Sequence, residues 1–148
     1  MIVIHRLREH TASRAQVEAL WKKAVLSARD AVLPGLSIDG ALRSAYDAGH
    51  MACLALLAAN GLRPGGGQGH HEMAFAGAAA LGDPALADLV PDSEEVRVLR
   101  RASMYDPTIA DASELQHALD WMRRTLPAIR AAMVRTEPAL HDSLVPYP

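Results

Sequence analysis

The fold is decided by residues 41–64, ALRSAYDAGHMACLALLAANGLRP. Alanine dominates this stretch, and alanine is the best helix former and a poor strand former. The apolar residues recur at helical spacing and form one stripe, made of Leu42, Ala45, Tyr46, Gly49, Cys53, Leu56 and Leu57. Because the second half is apolar on nearly all faces, the pattern predicts the central helix of a bundle, ending at a left-handed cap at Asn60-Gly61.

The segment before this helix contains two capping signals. Ser13 and Gln16 form a capping-box pattern that begins a first helix, which we expect to end near Pro34 and Gly35. Ser37 is the expected N-cap of the central helix. The residues ahead of Ser13 are expected to form either a strand or an extended arm.

Two more helices are expected after the glycine-rich stretch PGGGQG, residues 64–69. This stretch is interpreted as a flexible connector, because it lacks the Gly-Lys-Ser/Thr ending of a phosphate-binding P-loop. A third helix is expected over about 70–81, followed by a short helical turn at 85–89. Asp92 or Ser93 is the expected N-cap of a fourth helix, which should end at an Asp-Pro pair, residues 106–107.

The last helix is expected to begin at a capping box formed by Asp111 and Glu114. Pro127 lies inside its apolar pattern, and we expect a kink there because proline cannot donate a backbone hydrogen bond. The tail, residues 135–148, contains several prolines and is expected to have no helix, whether it is draped on the bundle or disordered.

Composition indicates one helical domain. The chain has 148 residues, of which 50% are hydrophobic, 4% aromatic and 22% charged. We predict an all-α protein, an up-and-down bundle of four to five helices over residues 13–134, with an N-terminal arm at 1–12 and the tail at 135–148. The formal net charge of −2 gives the whole chain no footprint for nucleic acid, so any anion site must be local.

Neither the N-terminus nor any apolar run predicts membrane association. The apolar run at the start, MIVIHRLREH, is too short for a signal peptide, and no stretch reaches the ~18 apolar residues of a membrane span. The sequence is therefore interpreted as cytoplasmic. Cys53 is the only cysteine and is expected to be a small buried core residue.

A second informative stretch is RVLRRASMYDP, residues 97–107. Arg97, Arg101 and Tyr105 are four residues apart, so they should share one face of the fourth helix, with Arg100 alongside. One interpretation is an anion or nucleotide contact facing a groove, completed by His71 from the third helix. The other is a solvated face on which these arginines pair with Glu94 or with a neighbouring helix.

The order of these features resembles the HEPN domain family. A small-residue helix with Tyr46 and His50 ends in GLRP, a His begins the next helix, and an Arg-rich helix then ends in Tyr-Asp. The resemblance covers about residues 13–134. It implies an up-and-down helical bundle that dimerises through its central helices and that takes part in nucleotide or RNA biology.

The ribonuclease branch of that family uses an Arg followed four to six residues later by a His. Such a pair suits metal-independent cleavage, since His moves the 2′-hydroxyl proton and Arg stabilises charge on phosphorus. Here Arg100 and Arg101 occupy the matching segment, but the next His is His117. In family members paired with a nucleotidyltransferase, a Tyr behind this motif can accept a nucleotidyl group, which makes Tyr105 a candidate acceptor.

Two further patterns are interpreted as structural. Arg43 and His50 match the Arg-x6-His spacing on the central helix, but we expect Asp47 simply to pair with Arg43. Glu114 and His117 form a single Glu-x-x-His, whereas a di-metal bundle needs two such pairs and two more Glu residues. No metal and no cofactor are therefore expected.

The favoured function is a non-catalytic HEPN-like module, a homodimer that binds a nucleotide, RNA or a nucleotidyltransferase partner. Small residues at Ala45, Gly49 and Ala52 are expected to permit the close helix contact of a dimer. One alternative is a divergent metal-independent endoribonuclease, the toxin of a toxin-antitoxin pair, using Arg100 or Arg101 with His71. Another is a structural dimer with no ligand.

Overall fold

A computed structural model describes residues 7–65, 69–105 and 111–147. The elements follow in the order β1 (Leu7–Glu9), α1 (Arg14–Ala31), α2 (Ile38–Ala59), β2 (Leu62–Pro64), α3 (His70–Ala80), a 3-10 turn (Pro84–Leu86), α4 (Leu89–Tyr105), α5 (Ala112–Thr136) and α6 (Leu140–Ser143). The described chain is mostly helical, which confirms the all-α prediction, and it adds one two-stranded sheet.

Helix α2 is the centre of the fold, as its apolar pattern predicts. It packs against α1, α3, α4 and α5. Gly49 lies against the Trp121 ring of α5 so closely that a Cβ at this position would collide with it. Ala45 and Ala52 are fully buried as well. The small residues that predict a dimer contact therefore pack inside the chain, and their expected role at a dimer interface is wrong.

The caps expected at the ends of α1 and α2 are confirmed. The Ser13 hydroxyl accepts a hydrogen bond from the Gln16 backbone nitrogen, and the Gln16 side chain accepts one from the Ser13 nitrogen. The Ser37 hydroxyl accepts a hydrogen bond of 3.0 Å from the Gly40 nitrogen. Gly61, directly after α2, has φ of +72°, the left-handed conformation that the Asn-Gly pair indicates.

The residues before α1 form a strand where the structure describes them. β1 pairs antiparallel with β2, with Leu7 opposite Pro64 and Glu9 opposite Leu62. The His10 nitrogen also donates to the Gly61 carbonyl, 2.8 Å away. Strand β1 is thus fastened to the chain that leaves α2, and its pairing partner at 62–64 is not predicted by the sequence.

The predicted start of the fourth helix is wrong. Helix α4 begins at Leu89, so Asp92 and Ser93 lie inside it rather than at its cap. Pro91 is tolerated because the first four backbone nitrogens of a helix have no partner within the helix. The turn expected at 85–89 is the 3-10 turn, capped by the Asp83 carboxylate, which accepts from the Ala85 nitrogen. The predicted end at 106–107 lies outside the described residues.

The last long helix differs from expectation at its cap. The Asp111 carboxylate caps it by accepting from the Glu114 nitrogen, 2.9 Å away, but the Glu114 side chain does not complete the predicted capping box, since its Oε2 atom is buried without a hydrogen-bond partner. Helix α5 runs through Pro127 and ends at Thr136, and the kink expected at Pro127 stays a prediction.

The tail is packed on the bundle and contains the short helix α6, contrary to the expectation of no helix. Leu140 and Leu144 are buried, and the Trp21 indole nitrogen donates to the Val145 carbonyl at 2.8 Å. Apolar contacts to the core therefore hold this segment despite its prolines. Of the helices within the described ranges, none combines the length and apolar character needed to cross a membrane.

Candidate functional site

Arg97 is engaged in ion pairs, as the structural interpretation of its helix face expects. Its guanidinium donates to both carboxylate oxygens of Glu94, at 3.0 and 2.6 Å, and lies 3.5 Å from Glu72 of α3. The hydrogen bond from Arg97 lowers the pKa of Glu94, and the same bond raises the pKa of Arg97. Arg97 therefore links α4 to α3, and two carboxylates already offset its charge, which makes it a weak site for an anionic ligand.

Arg101 and Tyr105 continue the same face of α4 toward solvent. Both are exposed, and the Tyr105 side chain is 78% accessible. The predicted binding set of Arg97, Arg101, Tyr105 and His71 thus divides into a paired arginine, two exposed side chains and a histidine that belongs to another group of residues.

That group is the ring cluster, formed by Tyr46 and His50 of α2 with His71 and Phe75 of α3. The His50 and His71 rings are stacked, with centroids 4.0 Å apart and planes 13° apart. Tyr46 is nearly parallel to both and lies 5.9 Å from His71 and 6.4 Å from His50, so it sits beside the histidine pair rather than between the rings. Phe75 tilts against Tyr46 from within the core.

Helix geometry explains this assembly. Tyr46 and His50 are four residues apart on α2, and His71 and Phe75 are four apart on α3, so each pair occupies one helix face. Packing α3 on α2 brings the two faces together. His50 is buried, whereas His71 is exposed, so the stacked pair spans from the core to the surface.

Arg100 of α4 completes the site from a third helix. Its guanidinium carbon lies 5.2 Å from the centre of the Tyr46 ring, a cation–π distance. The Arg100 Nε and the Tyr46 hydroxyl are both buried and have no hydrogen-bond partner among the described residues. Burial raises the pKa of Tyr46 to about 12, although Arg100 and Arg97 oppose the shift, so this phenol is neutral at physiological pH.

Asp47 is the acidic group of the site. Burial raises the pKa of its carboxyl, and the positive charges of Arg100, His71 and Arg43 oppose that shift. No ion pair joins Arg43 to Asp47, so the expected Arg43–Asp47 pair is absent.

The other polar group near α4 lies on its opposite side. His117 contacts Glu95 at 3.0 Å, next to Glu114, in a cleft between α4 and α5. Throughout the described part of the chain, no three His, Cys, Asp or Glu side chains gather in a way that could hold a metal ion.

Sequence reasoning selected His71 and Arg100 but missed their meeting point. The sequence places Tyr46 in the apolar stripe and His50 in a chance match with Arg43, and it uses both in the family resemblance, but it does not predict that they belong to one site. The available signal was the four-residue spacing of Tyr46 and His50 on a helix predicted to be central.

Comparison with known protein families, curated proteins and solved structures found no match for this chain. The resemblance to HEPN domains therefore depends on the order of sequence features and is compatible with the helical fold.

Proposed function

We propose that this chain is a non-catalytic HEPN-like binding module that takes a nucleotide or RNA at the ring cluster. The observation that carries the proposal is the exposed His71 ring, stacked 4.0 Å from buried His50 and beside Tyr46. Exposed aromatic side chains are the groups on which proteins stack nucleobases, and such stacking contributes about 1–3 kcal/mol per base.

The charges around the ring cluster also favour a phosphate-bearing ligand. Arg43 and Arg101 are exposed, and Arg100 is partly buried against Tyr46. Asp47 is the acidic side chain that faces this group, whereas Glu72 and Glu94 are paired with Arg97. The site thus has a local excess of positive charge on a chain whose net charge is −2.

Anisotropy of a short fluorescein-labelled RNA of mixed sequence tests the proposal. His71→Ala should weaken binding by about tenfold, since it removes the stacking face. His117→Ala is the matched control, because His117 is also an exposed helical histidine but lies between α4 and α5. Equal affinity of wild type and His71→Ala, or no RNA binding by the wild type, would refute the proposed site.

A second candidate function is the metal-independent endoribonuclease. The specific observation in its favour is that His71 lies beside Tyr46, which Arg100 covers, so that the histidine and the arginine expected for this chemistry share one site. In that reaction the imidazole would take the 2′-hydroxyl proton, and the guanidinium would stabilise the charge growing on the phosphate.

Cleavage of RNA in the presence of a chelator separates the enzyme from the binding module. We expect the wild-type chain to bind RNA without cleaving it. Chelator-resistant cleavage that is lost in His71→Ala by about two to four orders of magnitude would replace the binding function with the enzymatic one. Cleavage that persists in His71→Ala would indicate a contaminating nuclease.

A further inference from the structure

We infer that a groove between α1, α2 and the two-stranded sheet binds an anionic amphipath, a carboxylate with an unbranched apolar chain. We call it the sheet groove, and its lining includes Leu20 and Lys23 of α1, Leu54 of α2, and Arg63 and Pro64 of β2. It shares no residue with the ring cluster, so the inference does not rest on the proposed function.

The body of the sheet groove is apolar. Leu20 and Leu54 are partly buried at its wall, and Ala58 and Pro64 are buried. The cavity has a volume of about 420 Å³, within the range that small-molecule sites occupy. An apolar chain lying in the groove would be removed from water together with these side chains, which favours its binding.

The edge of the sheet groove is cationic. Lys23 and Arg63 line it from two different elements, and both side chains are exposed. Neither forms an ion pair within the described ranges. None of the described residues that line the groove is acidic. The positive charge at this edge is therefore available to an anion.

The sheet places a second arginine next to Arg63. Arg8 of β1 lies directly opposite Arg63 in the antiparallel register, so both side chains leave the same face of the sheet, with Cβ atoms roughly 5 Å apart. Arg8 is exposed and also forms no ion pair with a described residue. Glu9 follows Arg8, but successive strand residues point to opposite faces, so Glu9 does not lie between the arginines.

This opposed arginine pair indicates the charge of the ligand. Like charges directly opposite each other destabilise a strand pair, and an anion bound by both guanidiniums would offset that repulsion. A carboxylate suits them because its two oxygens accept paired N–H donors from a guanidinium. The apolar lining beside Arg63 favours a ligand with an apolar chain over RNA, because burying polar sugar and phosphate groups against apolar side chains is costly.

Calorimetric titration of the full chain with decanoate, 1-decanol and acetate tests the inference, at concentrations where decanoate forms no micelles. We expect decanoate to bind most tightly. 1-Decanol should bind about tenfold more weakly, because charge-assisted hydrogen bonds are lost. Acetate should bind about a hundredfold more weakly than decanoate, because it has no apolar chain to bury.

Two variants locate the bound ligand. Arg63→Gln should weaken decanoate by about tenfold and leave 1-decanol within about twofold, because only the carboxylate needs the guanidinium. Ala19→Phe, at an exposed position that lines the groove, should weaken both ligands by narrowing it. Arg29→Gln is the matched control, an exposed arginine on α1 that does not line the groove, and it should leave both affinities unchanged.

Tighter binding of decanoate than of the other two ligands, with the expected losses in both variants, would support the inference. It is wrong if decanoate does not bind to a wild type whose circular dichroism shows a folded helical protein, or binds no better than 1-decanol or acetate. Decanoate binding that is unchanged in both variants would lie elsewhere and would also overturn it. If decanoate fails to bind and Arg63→Gln weakens RNA binding, the sheet groove is a nucleic-acid contact instead. The effect of His71→Ala on RNA bears only on the proposed function.

Discussion

Tyr46 carries a polar hydroxyl, yet its side chain is buried in the hydrophobic core. It is 1% exposed, its hydroxyl has no hydrogen-bond partner among the described residues, and burial outweighs two nearby arginines in raising its pKa to about 12. The favourable contacts of this side chain come from its ring, against Phe75, the histidine pair and Arg100. The hydroxyl should therefore add little to stability at neutral pH.

Tyr46→Phe should leave the free energy of unfolding at pH 7 within about 1 kcal/mol of wild type, since no hydrogen bond is lost and the aromatic ring remains. The pKa of Tyr46 is higher in the folded state than in the unfolded state. The contribution of this difference to the free energy of unfolding is therefore complete below about pH 10 and is lost as the pH rises toward 12. The loss should be on the order of 2 kcal/mol. Tyr46→Phe should lose less over this range.

Urea denaturation of both proteins across that pH range measures the difference. Tyr105→Phe is the matched control, because Tyr105 is 78% exposed and its change should alter neither stability nor its pH dependence. A cost above about 2 kcal/mol for Tyr46→Phe at pH 7 would mean that the hydroxyl has a partner.

The sequence predicts single residues of the site better than their arrangement. Tyr46 and His50 share a face of α2 by spacing alone, so half of the ring cluster can be predicted from a periodic pattern. The stacking of His71 on His50 depends on how α3 packs on α2, and no local rule specifies that packing. The expected Arg43–Asp47 pair depends on tertiary structure in a similar way, because Arg100 and His71, on other helices, also interact electrostatically with Asp47.

At the scale of elements, the arginines of helix α4 differ in their surroundings. Arg97 holds Glu94 and Glu72, Arg100 covers Tyr46, and Arg101 is exposed. Equal spacing along the sequence therefore does not mean equal availability to a ligand. The Arg97–Glu72 ion pair also joins α4 to α3.

Arg101→Ala should weaken RNA binding and reduce by about 1 the slope of log affinity against log salt, as expected when one phosphate contact is lost. Arg97→Ala should change the affinity by less than about threefold, because its charge is already neutralised by two carboxylates. Arg123→Ala is the matched control, an exposed arginine on α5 that pairs weakly with Asp120. A salt slope that responds to Arg97 and not to Arg101 would contradict this difference between the arginines of α4.

The close approach of α2 and α5 explains why glycine stands at position 49. Replacing a helical glycine by alanine normally stabilises a helix by about 1 kcal/mol. At Gly49 the added Cβ would collide with Trp121, which is itself fully buried between helices. The helices would have to separate, and overpacking of this kind costs about 1–3 kcal/mol.

Gly49→Ala should therefore lower the free energy of unfolding, and Trp121→Phe should recover part of the loss in the double variant because a smaller ring leaves room for the methyl group. Ser44→Ala, on the same helix but only partly buried, is the control and should change stability by less than about 0.5 kcal/mol. Chemical denaturation of the wild type, Gly49→Ala, the double variant and Ser44→Ala measures these free energies of unfolding. A stabilising Gly49→Ala would show that α2 and α5 are not in such close contact.

Local signals predict where most helices begin, and tertiary contacts decide the exceptions. Ser13, Ser37 and Asp111 act as caps because each needs only its own next residues. Helix α4 begins earlier than its cap pattern indicates because Pro91 is harmless in a first turn. The strand at 62–64 and helix α6 form against distant partners, β1 and the core around Trp21, and short-range patterns do not show such partners.

At the scale of the whole molecule, strand β1 and the tail both pack against the helical bundle, although they lie outside the bundle range expected from the sequence, residues 13–134. Both contact residues far away in sequence, through the Leu7–Pro64 register and the Trp21–Val145 hydrogen bond. Several of the exposed large apolar side chains on the described surface are close in sequence, where α1 leads into α2, namely Leu26, Val32, Leu33 and Leu36.

These four residues, which we call the junction patch, are a more suitable surface for the expected homodimer than the small residues of α2. The small residues of α2 are buried by contacts within the chain, so they are not accessible to a second copy. The side chains of the junction patch, in contrast, are 41–54% exposed in the single chain. Exposed large apolar side chains that are close in sequence are candidates for a protein interface, and a symmetric dimer uses the same surface on both copies. We therefore expect any homodimer to form through the junction patch rather than through α2.

Light scattering on wild type and Leu33→Lys checks this expectation. The wild type should have the mass of a dimer at tens of micromolar, and Leu33→Lys should be monomeric because two lysines would face each other across the symmetry axis. Val98→Lys is the matched control, since Val98 is also 54% exposed but lies on α4. A monomeric wild type would contradict the dimer, and a dimeric Leu33→Lys would place the interface elsewhere. The ring cluster lies within one chain, so RNA binding by a monomeric Leu33→Lys should match that of the wild type.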